Sequence, residues 1–222
     1  MNAKQKLQRP YRSPLRDAQS AQTRERILLA AKAFLESEDA DKLTLRQVAE
    51  LAEVSAPTVY AHFPTMDDLL QAFFTWLQPH IGADTALPLL PELANTPRRV
   101  YPRYAGQGRL LRNLMNTPTW ERLRAGDWKA KQANWAAAVK ASLPQLGAVQ
   151  AERGAIALAA FSTPAVWRWL VDITGCSESE AEHIACWATG ALATALKHDA
   201  AALGGAESKP LTSIHRKKGS AA

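Results

Sequence analysis

The feature that most constrains this chain is a series of helix-start signals set too close together for anything but short helices. Thr44 can cap a helix, and Gln47 three residues on completes a capping box. Leu45, Val48, Ala49 and Ala52 then form a short apolar stripe, which predicts a two-turn helix over 45–52. Glu53-Val54 makes a tight turn. Ser55 caps the next helix, where Pro57 is tolerated because first-turn N–H groups lack intrahelical partners. Pro64 stops that helix at about His62-Phe63. Thr65 with Asp68 opens a longer helix striped by Leu69, Leu70, Phe73, Phe74 and Leu77. Upstream, from Ser20, Ile27, Ala31, Phe34 and Leu35 share one helical face. Two short helices joined by such a turn form a helix-turn-helix. In that unit the second helix lies in the major groove of duplex DNA and the first crosses the backbone.

The side chains suit that geometry. Val54, Val59 and Phe63 are expected in the core. Ala56, Pro57 and Thr58 open the second helix, where apolar groups can touch a thymine methyl and the Thr hydroxyl can bond to either base partner. Arg46 can reach a guanine edge or a phosphate, and Tyr60 and His62 fall on the exposed side. The runs Thr23-Arg24-Glu25-Arg26-Ile27-Leu28, Ala31-Lys32-Ala33-Phe34, Thr44-Leu45-Arg46-Gln47-Val48-Ala49 and Val54-Ser55-Ala56-Pro57-Thr58-Val59-Tyr60-Ala61-His62-Phe63 resemble the tetracycline-repressor-type (TetR) family over about residues 20–78. The resemblance implies a DNA-binding transcription regulator, commonly a repressor released by a small molecule. It also implies that Tyr60 and His62 contact phosphates. The expected DNA-binding set is Thr44, Arg46, Ser55, Ala56, Pro57, Thr58, Tyr60, His62 and Thr65. Two positions depart from the family pattern. Glu53 stands where glycine is usual, and a non-glycine residue in a left-handed conformation costs about 1–2 kcal/mol. Met66 stands where a lysine is frequent, with Asp67 and Asp68 adding repulsion to any phosphate at that helix start.

Charge is unevenly spread along the 222 residues, whose formal net charge is +6. Residues 1–32 hold eight bases against two acids, 36–53 hold six acids against two bases, and 98–153 hold eleven bases against three acids. The first block suits a polyanion backbone. Cys176 and Cys186 are the only cysteines, so no disulfide framework is implied. No uninterrupted apolar run approaches the roughly 18 residues of a membrane span. These features lead to an expectation of a cytoplasmic protein with no membrane partner. There is no Gly-rich phosphate loop, and Ser162 lacks the glycines of a nucleophile elbow; no enzyme activity and no cofactor are expected. His183 and Cys186 stand three apart on one helix, a spacing that could ligate a metal. Free cysteine more often acts as a small buried hydrophobe, and no metal is expected.

Beyond residue 79, five prolines over 79–104 favour short helices and turns. Helices are expected over 106–116, about 127–143 and 151–161, then from Pro164 to Thr174-Gly175, and over about 178–198 behind the Ser177–Glu180 capping box. The segment Ser162–Leu196 resembles the helix pair that dimerises TetR-type proteins. Its expected homodimer interface is Val166, Leu170, Ile184, Trp187, Ala188, Ala191, Leu192 and Ala195, and the expected operator is palindromic. The resemblance also implies a small-molecule effector site between about residues 80 and 170. Trp120, Trp128 and Trp135, with Arg109 and Arg112, are its expected wall, in a stretch that also holds Arg122 and Arg124. The positive balance there favours an acidic or aromatic-acid ligand. The expected fold is all-α, an N-terminal three-helix helix-turn-helix DNA-binding domain followed by a C-terminal helical ligand-binding and dimerisation domain. The expected divisions are a flexible basic arm over 1–19, the DNA-binding domain over 20–78, the regulatory domain over 79–203 and a disordered tail over 204–222. The competing readings are a constitutive DNA-binding protein and a helical adaptor that binds protein through a Trp-rich surface.

Overall fold

The computed structural model describes residues 14–81, 89–198 and 203. Residues 1–13 of the expected arm and the tail over 204–222 lie outside the described residues. Among the described residues the chain is all-α, without a strand. In order, the helices are α1 (Pro14–Ser37), α2 (Leu45–Leu51), α3 (Ala56–His62), α4 (Met66–Ile81), α5 (Leu90–Ala94), α6 (Thr96–Gly106), α7 (Gly108–Met115), α8 (Pro118–Ser142), α9 (Ala148–Ala160), α10 (Pro164–Arg168) and α11 (Glu178–His198). A wide π-type turn, Trp169–Ile173, prolongs α10.

Several boundaries differ from the sequence reading. Helix α1 starts at Pro14, inside the stretch expected to be arm, because proline is at home in a first turn. The stretch 106–116 breaks at Gln107 into the end of α6 and the whole of α7. Helix α8 starts at Pro118, about nine residues early, and runs straight through Gly126. Helix α9 starts at Ala148, where Gln150 Oε1 accepts from the Gly147 N–H at 2.8 Å.

One apolar core joins the N-terminal helices to the body. It holds Ile27, Leu28 and Leu35 of α1, Leu69, Phe73 and Leu77 of α4, Leu110 and Leu111 of α7, and Trp167 of α10. Helix α7 lies against α1, and its buried Asn113 donates from Nδ2 to the Leu35 and Glu38 carbonyls at 2.8 and 2.7 Å. These are carbonyls at the C-terminal end of α1 that the helix cannot satisfy itself. Trp76 of α4 donates to Glu25 of α1 at 2.9 Å. A second core lies at the far end, among α5, α8, α9 and α11. There α9 and α11 approach so closely that a Cβ on Gly154 would stand 2.8 Å from Leu196 Cδ2. The stretch Ala148–Ile173 is long and apolar enough to cross a membrane by length and composition alone. It turns at Phe161–Thr163, and Ala151, Gly154, Ala155 and Leu158 are buried inside the protein, so its apolarity serves a core.

Polar bonds fix how the body helices meet. Tyr101 and Tyr104 of α6 donate to the Phe161 and Ser162 carbonyls, each at 2.8 Å. Burial pushes both phenols well above their ordinary pKa. Trp167 Nε1 donates to Glu178 at 2.6 Å. Arg112 of α7 lies over the Trp167 ring at 4.8 Å and donates to both Asp172 oxygens, at 2.7 and 2.5 Å. Those Arg112 hydrogen bonds hold the Asp172 carboxyl below the usual carboxylate range. A depressed folded-state pKa contributes stability that is present above the unfolded value, about 4, and lost as pH falls through the folded one. Asp172→Asn is therefore expected to cost about 1 kcal/mol of stability between pH 5 and 7. Urea denaturation should show the variant and parent converging below about pH 4. A gap that stays constant down to pH 3 would refute the pairing.

Candidate DNA-binding surface and interior cleft

The first site is built by α2, the turn and α3. Thr44 accepts from the Gln47 N–H at 3.2 Å while Gln47 Oε1 accepts from the Thr44 N–H at 3.0 Å. Ser55 Oγ accepts from the Thr58 N–H at 3.3 Å and pairs with Thr58 Oγ1 at 2.7 Å. Thr65 and Asp68 close the reciprocal box that opens α4, with bonds of 3.0 and 3.1 Å. Each cap fixes where one short helix starts, so the spacing of the unit is set locally. The turn between α2 and α3 passes through Glu53 at φ 51°. Arg26 of α1 braces it, donating from Nη2 to the Ala52 carbonyl at 2.6 Å and the Glu53 carbonyl at 3.3 Å. Arg24 lies over the Phe63 ring at 5.3 Å. No periodicity could have assigned these two arginines to the turn and to α3, because both contacts cross between elements.

Of the expected DNA-binding residues, Thr44, Arg46, Ser55, Pro57, Tyr60 and Thr65 are exposed on this unit. Thr58 and His62 are half-buried. Ala56 is half-buried and packs against the core, so it faces inward at the start of α3. Val59 and Phe63 are core, and Val54 packs against it. Asp67 does not stand free at the start of α4. It accepts from Thr119 Oγ1 at 2.7 Å and from Arg122, both on α8. The Thr119 bond first, and then Arg122, lower its pKa.

The second site is a trough along α8. Its polar end encloses about 660 Å³, counting space open to solvent, and is lined by Gln78 of α4, Arg99 and Tyr104 of α6, Arg124, Asp127 and Lys131 of α8, and Ser162. Its apolar end, about 850 Å³ on the same basis, is lined by Trp120, Ala125, Ile156, Ala160 and Pro164. Arg124, Trp128, Ala159 and Thr163 line both ends, so the two are continuous. The expected tryptophans converge here: Trp128 and Trp135 at the polar end, edge to face at 6.3 Å, and Trp120 at the apolar end, edge to face with Phe74 at 5.6 Å. The expected arginines do not. Arg109 is exposed elsewhere, and Arg112 is engaged by Asp172 and Trp167. Gln78, Arg99 and Ser162, which form much of the polar wall, were absent from the expected site because only the tertiary fold brings them to α8, and Lys131 of α8 was passed over among the many bases of that stretch.

The expected pairing surface also changes membership. Helix α11 buries Ala181, Ala185, Thr189, Ala193 and Leu196, while Ile184, Trp187, Ala191 and Ala195 face outward. Ala188 and Leu192 are half-buried. Leu170, expected at the interface, is 5% exposed in the chain's own core, and Val166 packs against that core. The exposed apolar residues of that turn are instead Trp169 at 55% and Ile173 at 71%.

A pair of short helices with exposed hydroxyls, Arg46 and Tyr60, braced by a third helix, defines a helix-turn-helix DNA-binding protein. Residues 27–73 match the family model described as bacterial regulatory proteins, tetR family, so the N-terminal domain is of that family's type. That domain is the DNA-binding part of a tetR-type transcriptional regulator. Among solved structures the chain is similar to NalD, the secondary repressor of the MexAB-OprM multidrug efflux pump in Pseudomonas aeruginosa, at 19% identity and a TM-score of 0.55, covering 82% of this chain and 98% of that one. A second structure, of native NalD, matches at 19% identity and a TM-score of 0.54, covering 78% and 96%. A tetR-family transcriptional regulator from Streptomyces coelicolor matches at 17% identity and a TM-score of 0.53, covering 82% and 86%. At these identities the likeness extends to the fold. No curated protein matches the chain.

The strained turn yields a direct test. Glu53→Gly removes the left-handed penalty, keeps both Arg26–backbone bonds and loses only an exposed 3.9 Å ion pair. It is expected to stabilise the protein by about 0.5–1 kcal/mol, net of the added chain entropy of glycine. A urea midpoint that falls would contradict the strain.

Proposed function

We propose that the protein is a homodimeric repressor that binds a palindromic operator in duplex DNA and releases it when a small molecule enters the trough along α8. The observation that carries DNA recognition is the exposed row Thr44, Arg46, Ser55, Pro57, Tyr60 and Thr65 on one capped helix-turn-helix. One such unit reads too few base pairs for selectivity, and a two-fold dimer doubles the site. Dimerisation is supported by Trp169, Ile173, Ile184 and Trp187, large apolar side chains exposed on α11 and on the turn packed beside it. NalD is described as a repressor, and the same role is proposed here. Such a regulator works in the cytoplasm, beside the DNA it reads.

Ligand control is supported by the position of α8. This helix carries the trough wall, Arg124, Asp127, Trp128 and Trp135, and also Thr119 and Arg122, which hold Asp67 at the first turn of α4. Thr65, two residues earlier, belongs to the DNA-facing row. A ligand that displaces α8 therefore displaces the seat of the reading unit. It can release DNA only if it binds the displaced arrangement more tightly, and operator must then weaken the ligand by the same factor.

Two measurements test this reading. Duplexes selected from a random pool are expected to bind with an affinity that falls steeply as salt rises, since several phosphates are neutralised. Tyr60→Ala is expected to weaken all duplexes alike by about fivefold, the worth of one phosphate hydrogen bond. Salt-independent binding, or none, would overturn DNA recognition. The second concerns Trp187, which is 76% exposed, so Trp187→Asp leaves the fold of one chain intact. Sedimentation is expected to show a dimer for the parent and a monomer for this variant, with tight operator binding lost together with the dimer. A parent that sediments as a monomer at micromolar concentration would exclude the proposed assembly.

A further inference from the structure

Two buried polar atoms in the trough lack any hydrogen-bond partner, Gln78 Nε2 and Ser162 Oγ, and both belong to its polar end. Ser162 as a residue is only 9% exposed. Leaving such groups unpaired is unfavourable, and an oxygen-bearing ligand would remove that cost. Among the described lining residues, Arg124 and Lys131 stand beside one acid, Asp127. Asp127 is already engaged, accepting from Arg124 at 3.0 Å and from Lys131 at 2.7 Å, with its side chain 13% exposed. It is therefore not available as counter-ion to a cationic ligand, which would also meet Arg124 and Lys131. At the other end the lining is apolar, and Trp128 with Arg124 forms the junction.

From this arrangement, and resting on the reading of the trough as the effector site, we propose that its ligand is an amphipathic organic anion, an aryl carboxylic acid. The aromatic body lies against Trp120, Trp128 and Ile156. The carboxylate is directed to the polar end, where its oxygens accept from Ser162 Oγ, Gln78 Nε2 and the Arg124 guanidinium. Charge-assisted bonds of this kind are about twice as strong as neutral ones, so the site discriminates by the ligand's charge as well as its shape.

The test uses the full chain and three biphenyl probes of one shape: biphenyl-4-carboxylate, the neutral biphenyl-4-carboxamide and the cationic 4-phenylbenzylamine. Quenching of tryptophan fluorescence reads occupancy. The carboxylate is expected to bind saturably, one per chain, about tenfold tighter than the amide, with the amine weaker still. Arg124→Gln is expected to remove the advantage of the carboxylate over the amide while leaving amide binding in place. Ser162→Ala, which deletes one buried hydroxyl without touching the ion pairs, provides a second variant and is expected to weaken the carboxylate about fivefold. An amine that binds as tightly as the acid, or an acid without saturable binding below about 1 mM, would overturn the proposal. Operator affinity measured with each probe separates this proposal from ligand control. Release of DNA by the amine alone overturns the anion and keeps control. Tight carboxylate binding with unchanged operator affinity overturns control and keeps the anion.

Discussion

The arrangement of this protein depends on the apolar seam where α7 lies against α1, closed by the Asn113 amide on the Leu35 and Glu38 carbonyls. The seam makes the DNA-reading unit continuous with the body instead of hanging it on a linker. Close-packed interiors move between discrete arrangements and deform little in between, so a head seated in a shared core follows the helices that seat it. Two elements do so. Helix α7 grips the C-terminal end of α1, and α8 holds the N-terminal end of α4 through Asp67. Both ends lie next to the capped turns that space the reading helices. The caps decide the local geometry of the reader, and the seam decides where that reader points.

This division also explains what the sequence could and could not tell. The signals that were legible act within three or four residues. Thr44 with Gln47, Ser55 with Thr58, Thr65 with Asp68 and Ser177 with Glu180 all form the bonds their spacing implied. The left-handed Glu53 was legible only through the family resemblance, which puts glycine at that position. Helix α8 was half missed because it buries only Trp120, Trp135, Ala138 and Val139 along 25 residues, a pattern with no clear face. The outward face of the α10 extension was missed because apolar residues occur on both sides. Val166 and Leu170 stand four apart and point inward, while Trp169 and Ile173, also four apart, point outward. Periodicity shows that residues share a face. It does not say which face finds a partner within the chain.

The arginines show the limit most sharply. Residues 98–153 carry eleven bases against three acids, which suggests a broad positive field. Much of that charge is used inside the fold. Arg98 meets Glu182 at 3.6 Å, Arg112 meets Asp172, and Arg122 meets Asp67, all with acids from outside the segment. In the N-terminal third, Arg24 is laid over Phe63 and Arg26 is committed to the turn, so two of the bases nearest the reading helices serve structure first. A charge count therefore overstates what is presented to DNA or to a ligand. What recognises a partner is the charge that remains in a concavity after internal pairing. At the polar end of the trough Arg124 and Lys131 share one acid, Asp127, beside two unpartnered polar groups, which leaves a positive balance among these described lining residues. The discrimination proposed there follows from position, because in a recess each charge acts at a lower effective dielectric than it would on the open surface.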